Sequence, residues 1–126
     1  QAEQQAKEAN AESPDFRLWT TLRSFIGIEI TQAHQTGQLN AQGILHYETV
    51  LMQIHESVKT KESKLRLYRS GKPLEVWLII YVDYSESGAF EKVKKEYLGN
   101  VLETSFDKVF LFDLDSQQTF QFNSWQ

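Results

Sequence analysis

The chain contains no cysteine. That absence removes disulfides, zinc–thiolate sites, iron–sulfur clusters and cysteine nucleophiles from the possible chemistry. It leaves the compartment unknown, with an exported bacterial domain, where stray thiols are a hazard, slightly favoured over a cytosolic one. Long apolar runs are also missing. The longest, Val76 to Val82, has the length of a strand and falls well short of the roughly 18 residues that a spanning helix needs, so no membrane span is expected. Basic charge is not in excess, because 13 Lys and Arg face 17 Asp and Glu for a formal charge of −4. An acidic chain is a poor match for nucleic acid or an anionic bilayer, both of which recruit basic surface. The first residue is not Met and no signal peptide follows it, so a processed or trimmed chain is expected.

What is present suffices for one core. With 126 residues, 40% of them hydrophobic and 13% aromatic, the chain is expected to form a single domain. Gln1 to Glu12 favours helix but offers only Ala among Gln, Glu and Lys, so residues 1–12 are expected to be a solvated helical lead-in or linker and residues 13–126 the domain. Ser13, Pro14 and Asp15 suit a helix start. Leu18, Trp19, Leu22, Phe25, Ile26 and Ala33 then recur at helical spacing, and Gly37 offers a stop, although Gly27 and the run Ile28, Ile30, Thr31 weaken the pattern. A second helix is expected behind Asn40, with Ile44, Tyr47, Leu51, Ile54 and Val58 on one stripe. Those positions are too few for a free coiled coil, so the stripe is read as core-facing, with a homodimer seam as the other use.

After Lys61 the period changes towards 2. Leu65 and Leu67 alternate with charged residues, Ser70 to Pro73 supplies a turn, and a strand is expected over Leu74 to Tyr84. Ser87 caps a third helix whose stripe is Phe90, Val93, Tyr97 and Val101 or Leu98, stopped by Gly99. A final hairpin joins Lys108–Leu114 to Thr119–Trp125 through Asp115 to Gln118. The fold class is therefore α+β in the order α-α-β-β-α-β-β, with a four-stranded, antiparallel-rich sheet and helices mainly on one face.

Few residues carry chemistry. Asp113 and Asp115 end a hydrophobic strand in D-x-D, which is similar to the first motif of haloacid-dehalogenase phosphatases. In that family a large parallel α/β domain follows the motif, and here the chain ends 11 residues after Asp115. Both aspartates are read instead as turn formers that accept local amide hydrogens. His46 and His55 are nine residues apart, on opposite sides of a helix, and cannot share a ligand. His34 suits a helix C-terminus. No nucleophile elbow or phosphate-cradling glycine run is present. No catalytic, cofactor-binding or metal residue is assigned, and the reading leans against an enzyme.

Two surface clusters remain. Lys64, Arg66, Arg69 and Lys72, with Tyr68 among them, are read as charges that keep an edge strand from pairing. Trp77, Ile79 and Tyr81 lie on one face of the Leu74–Tyr84 strand, opposite Val76, Leu78 and Ile80. Since both faces are apolar, the strand must be central, and the Trp77, Ile79, Tyr81 face meets either the first helix or a partner. These three residues are the expected protein interface. The order α-β-β-α-β-β across Ile44 to Trp125 resembles the domains that follow a helical stalk in the inner-membrane platform proteins of type IV pili and type II secretion. That resemblance is one of element order and transfers no site residues. It implies a non-catalytic interaction or assembly domain of a larger complex, with a protein partner or homo-oligomer. The alternative is a small-ligand or sensor domain with an apolar cavity between helices and sheet.

Overall fold

A computed structural model describes residues 14–33, 47–83, 89–97, 101–122 and 124–125. Its strands are β1 (Phe16–Trp19), β2 (Phe25–Gln32), β3 (Glu75–Val82), β4 (Leu102–Glu103), β5 (Lys108–Asp113), β6 (Thr119–Gln121) and β7 (Ser124–Trp125). Its helices are α1 (Tyr47–Glu62), α2 (Leu65–Arg69) and α3 (Ala89–Tyr97). The class is mixed α and β as expected, but the sheet is not the expected one. It has five strands in the order β1-β2-β3-β5-β6, and its centre is parallel: β3 pairs in parallel with both β2 and β5, while β1 and β6 close the edges antiparallel.

The expected first helix is instead the β1–β2 hairpin. Leu18, Trp19, Leu22 and Phe25 fit helical spacing, yet the β-branched residues from Ile26 onward crowd χ1 in a helix and pack well on a pleated sheet. The turn between the strands closes through Thr20 N–H and Oγ1, both donating to the Ser24 carbonyl at 2.8 and 3.1 Å. Leu22 sits fully exposed at its tip, so its helical spacing had no packing meaning. Gly27 lets β2 pass close to the start of the domain, because a Cβ there would stand 2.8 Å from Pro14 Cγ.

The expected first strand of the 65–84 hairpin is instead α2. Leu65 and Tyr68 are buried while Leu67 is 40% exposed, a spacing of three rather than two. No Gly or Pro lies between Lys61 and Arg69; a turn at Ser63 and Lys64 separates α1 from α2, and α2 stops where Ser70 N–H donates to the Arg66 and Leu67 carbonyls ahead of Gly71. The supposed edge-strand cluster Lys64, Arg66, Arg69 and Lys72 thus lies on a helix and the turns on either side of it. The last hairpin forms between β5 and β6, but its outgoing arm is short, and β7 pairs in parallel with β4. With the element order changed, the likeness to pilus and secretion platform domains no longer holds. The N-terminal lead-in, the start of α1 at Asn40 and Ile44, and the cap and stop of α3 at Ser87 and Gly99 lie outside the described residues.

Two crossovers, β2 to β3 through α1 and α2 and β3 to β5 through α3 and β4, step the same way across the sheet. Crossovers of one hand then lay their helices on one face. The core shows this: Ile54 and Val58 of α1, Leu65 and Tyr68 of α2 and Phe90, Val93 and Tyr97 of α3 pack with Val76, Leu78, Ile80, Val82, Val109 and Leu111 of the sheet. Phe106 and Phe122, both essentially inaccessible, fill the end of this layer.

Candidate functional site

Strand alternation sends every second residue to the sheet face away from the helices. On β3 these are Glu75, Trp77, Ile79 and Tyr81, each half-buried, whereas Val76, Leu78 and Ile80 between them have no accessible surface. Register carries the same face across the sheet. One row holds Phe16, Ile28, Trp77 and Lys108; the next holds Ile30, Ile79, Phe110 and Gln121; the third holds Gln32, Tyr81, Phe112 and Thr119. Leu18 and Ile26 complete it beside Glu75. Phe16 and Leu18, on the edge strand, are 57% and 47% exposed. Among the described residues no helix lies against this face.

The face is apolar but locally ordered. Trp77 donates its indole N–H to Glu75 Oε1 at 2.7 Å, Lys108 Nζ stands 4.8 Å from the Trp77 ring centroid, and Phe110 packs beside it at 5.5 Å between centroids. Such tethers hold a large aromatic in one orientation, which lowers the entropy lost when something docks on it. Trp77, Ile79 and Tyr81, singled out in the sequence, therefore do lie together. The helical spacing given to Ile26–Ile30 hid Ile26, Ile28 and Ile30 as their neighbours, although the two-residue alternation of that stretch was the available signal; Phe110 and Phe112, expected on a strand, come beside them through the parallel β3–β5 register.

The residues with chemical potential are otherwise engaged. Asp113 is buried at the end of β5, where Oδ1 accepts from Asp115 N–H at 3.3 Å and Oδ2 from the Ser116 hydroxyl at 2.8 Å. Asp115 lies in the turn rather than on the strand, so the two carboxylates do not share a face. Arg69 donates to Asp107 Oδ2 at 3.2 Å and to the Ser105 carbonyl at 2.8 Å, while Val76 N–H donates to the same Asp107 oxygen. That clamp ties α2 to the start of β5. His34 and His46 lie outside the described residues. His55 Nε2 stands 2.7 Å from Tyr97 Oη, linking α1 to α3.

Beside His55 runs an open cleft of about 870 Å³ between α1 and the β4 segment. Its walls include Glu56, Lys59, Glu62, Glu103 and Thr104. Glu62 Oε2 accepts from the Thr104 hydroxyl and from Ser105 N–H, both at 2.7 Å, so that oxygen holds the segment in place. Among the described residues no group of three or more His, Asp or Glu converges as metal ligands would. Comparison of the chain with protein-family models, curated protein sequences and solved structures finds no match.

Proposed function

We propose that this chain is a non-catalytic protein-interaction domain, a subunit of a larger assembly, and that it docks through the sheet face of Trp77, Ile79 and Tyr81. The observation behind this reading is the continuity of that face. Apolar side chains run in register from β1 to β5 on a rigid parallel centre, with the domain's own core on the opposite side. Contiguous apolar patches of that extent mark interaction surfaces more often than free surface. The sequence of the undescribed segments supplies few large apolar residues, chiefly Leu39, Ile44, Leu45, Tyr84 and Leu98. The cleft beside His55 is where the small-ligand alternative would operate, and its walls set Glu56, Lys59, Glu62 and Glu103 beside the apolar Met52 and Val58.

Ile79→Lys tests the reading. Placed on a docking face, the lysine reaches solvent in the free subunit, so the unfolding free energy should fall by less than about 1 kcal/mol while association is lost. A fall of more than about 3 kcal/mol with unchanged association would assign the face to the interior of the chain and remove the proposal.

A further inference from the structure

Charge is spread unevenly along the chain. Residues 16–25 and 63–74 hold six of its 13 basic residues, Arg17, Arg23, Lys64, Arg66, Arg69 and Lys72, and none of its 17 acidic ones. The fold brings the two segments to one end of the molecule. β2, β3 and β5 run parallel and start nearly level, since Ile26 is opposite Glu75 and Trp77 is opposite Lys108, and the two segments lead into β2 and β3 there. Phe25 joins them: its ring centroid stands 5.0 Å from that of Trp19 and 4.7 Å from the Arg17 guanidinium carbon, and its carbonyl accepts from Leu74 N–H at 2.8 Å. Arg69 ties α2 to the same end through Asp107. Large apolar side chains are exposed here as well, Leu22 completely, Leu74 by 60% and Trp19 by 53%. Arg23, Arg66 and Lys72 are exposed with them, and among the described residues none of the three has an ion-pair partner. The bordering carboxylates are Glu62, Glu75 and Asp107, of which Asp107 is already paired with Arg69.

We propose that this end of the domain docks on an anionic lipid surface, with Leu22, Leu74 and Trp19 entering the headgroup region and Arg23, Arg66 and Lys72 facing the lipid phosphates. Leucines carried on separate convex turns need a medium that deforms around them. Tryptophan beside apolar and cationic side chains is the composition that settles at a membrane–water boundary. Nucleic acid would use the charge but give Leu22 nothing to bury against. The acidic total of the chain does not oppose such docking, because salt screens exposed charges beyond about 10 Å and the local balance then decides. Contact of this kind lies on the bilayer without spanning it, in keeping with the absence of a helix long and apolar enough to cross among the described residues.

The absence of cysteine allows a single reporter. Leu22→Cys carries an environment-sensitive fluorophore, and Gln118→Cys, in the turn at the other end of β5, carries the same label as a control. Each is titrated with vesicles of phosphatidylserine mixed into phosphatidylcholine, with vesicles of phosphatidylcholine alone and with a short single-stranded RNA, and co-sedimentation of the unlabelled chain is run in parallel. The chain should sediment with the anionic vesicles and not with the neutral ones, and the emission at position 22 should shift to the blue while that at position 118 stays put. Replacing Arg23, Arg66 and Lys72 together by Gln should weaken vesicle binding about a hundredfold, and Leu22→Ser about tenfold. All four side chains are exposed, so the melting temperature should not move in either variant. No binding to anionic vesicles, or binding that ignores both variants or shifts the label at position 118 instead, overturns the proposal. RNA binding that needs the three cations and ignores Leu22→Ser, without vesicle binding, assigns the end to nucleic acid and overturns it too. None of these substitutions touches Trp77, Ile79 or Tyr81, so each outcome leaves the docking reading as it stands.

Discussion

Two buried polar side chains show how the same burial has opposite consequences. Glu29 is 4% exposed on the helix side of β2, and its carboxylate is fully used. Oε2 accepts from the Tyr68 hydroxyl at 2.8 Å and pairs with Lys61 Nζ at 2.9 Å, while Oε1 accepts from Asp15 N–H at 3.1 Å. One side chain thereby ties β1, β2, α1 and α2 together. Gln53 on α1 is 7% exposed, and neither atom of its amide finds a partner among the described residues. A buried polar group without a hydrogen bond costs about 1–3 kcal/mol, whereas breaking a buried ion pair by removing one member costs about 3–5. Because Lys61 keeps 22% exposure and can turn to water, the lower end applies to its pair. Glu29→Ala should therefore lower the unfolding free energy by about 2–4 kcal/mol, and Gln53→Met should raise it by about 1 kcal/mol. Urea unfolding of the two variants checks both signs, and a Gln53→Met protein weaker than wild type would mean that the amide is satisfied after all.

Elements whose signal is local were legible in the sequence. The β3 alternation, the Phe90, Val93, Tyr97 stripe of α3 and the Asp113 turn all stand where their spacing places them, since each depends on residues within one or two turns of chain. Short segments with two admissible periods were not legible. Leu65, Leu67 and Tyr68 satisfy a strand by their first pair and a helix by their outer pair, and only packing against the sheet decides between them. The difference is measurable. In the strand reading Leu65 and Leu67 share a face, and truncating either has a similar effect. In α2 they do not: Leu65→Ala should cost about 2–4 kcal/mol, and Leu67→Ala less than about 1. Equal losses in thermal or urea unfolding would restore the strand. Trp77, Ile79 and Tyr81 were found because β3 alternates cleanly, and their β2 neighbours were lost with the misread hairpin.

At the scale of the whole molecule, the direction in which strands pair was beyond the reach of the sequence pattern. Whether β2 runs parallel or antiparallel to β3 depends on a crossover of more than forty residues, from Gln32 to Glu75, and no local spacing encodes that. That crossover and the one from β3 to β5 put all described helices on one face and leave the other apolar and, among the described residues, free of helices, so the candidate interface is a product of topology as much as of composition. The first described residues already make tertiary contacts. Pro14 is buried against Gly27, Asp15 N–H donates to Glu29, and Asp15 Oδ2 accepts from Ile30 N–H at 2.8 Å. Residues 14 and 15 therefore tie the start of β1 to β2. Gln1 to Glu12 carries no apolar residue larger than alanine, so it has little apolar surface to bury. Deleting those residues should shift the melting temperature by less than about 5 °C, which for a domain of this size corresponds to roughly 1 kcal/mol. Asp15→Ala in the full chain should lower it by more than the deletion does, because it removes the acceptor of the Ile30 N–H hydrogen bond beside β1. A larger fall from the deletion than from Asp15→Ala would place the start of the folded unit upstream of Ser13.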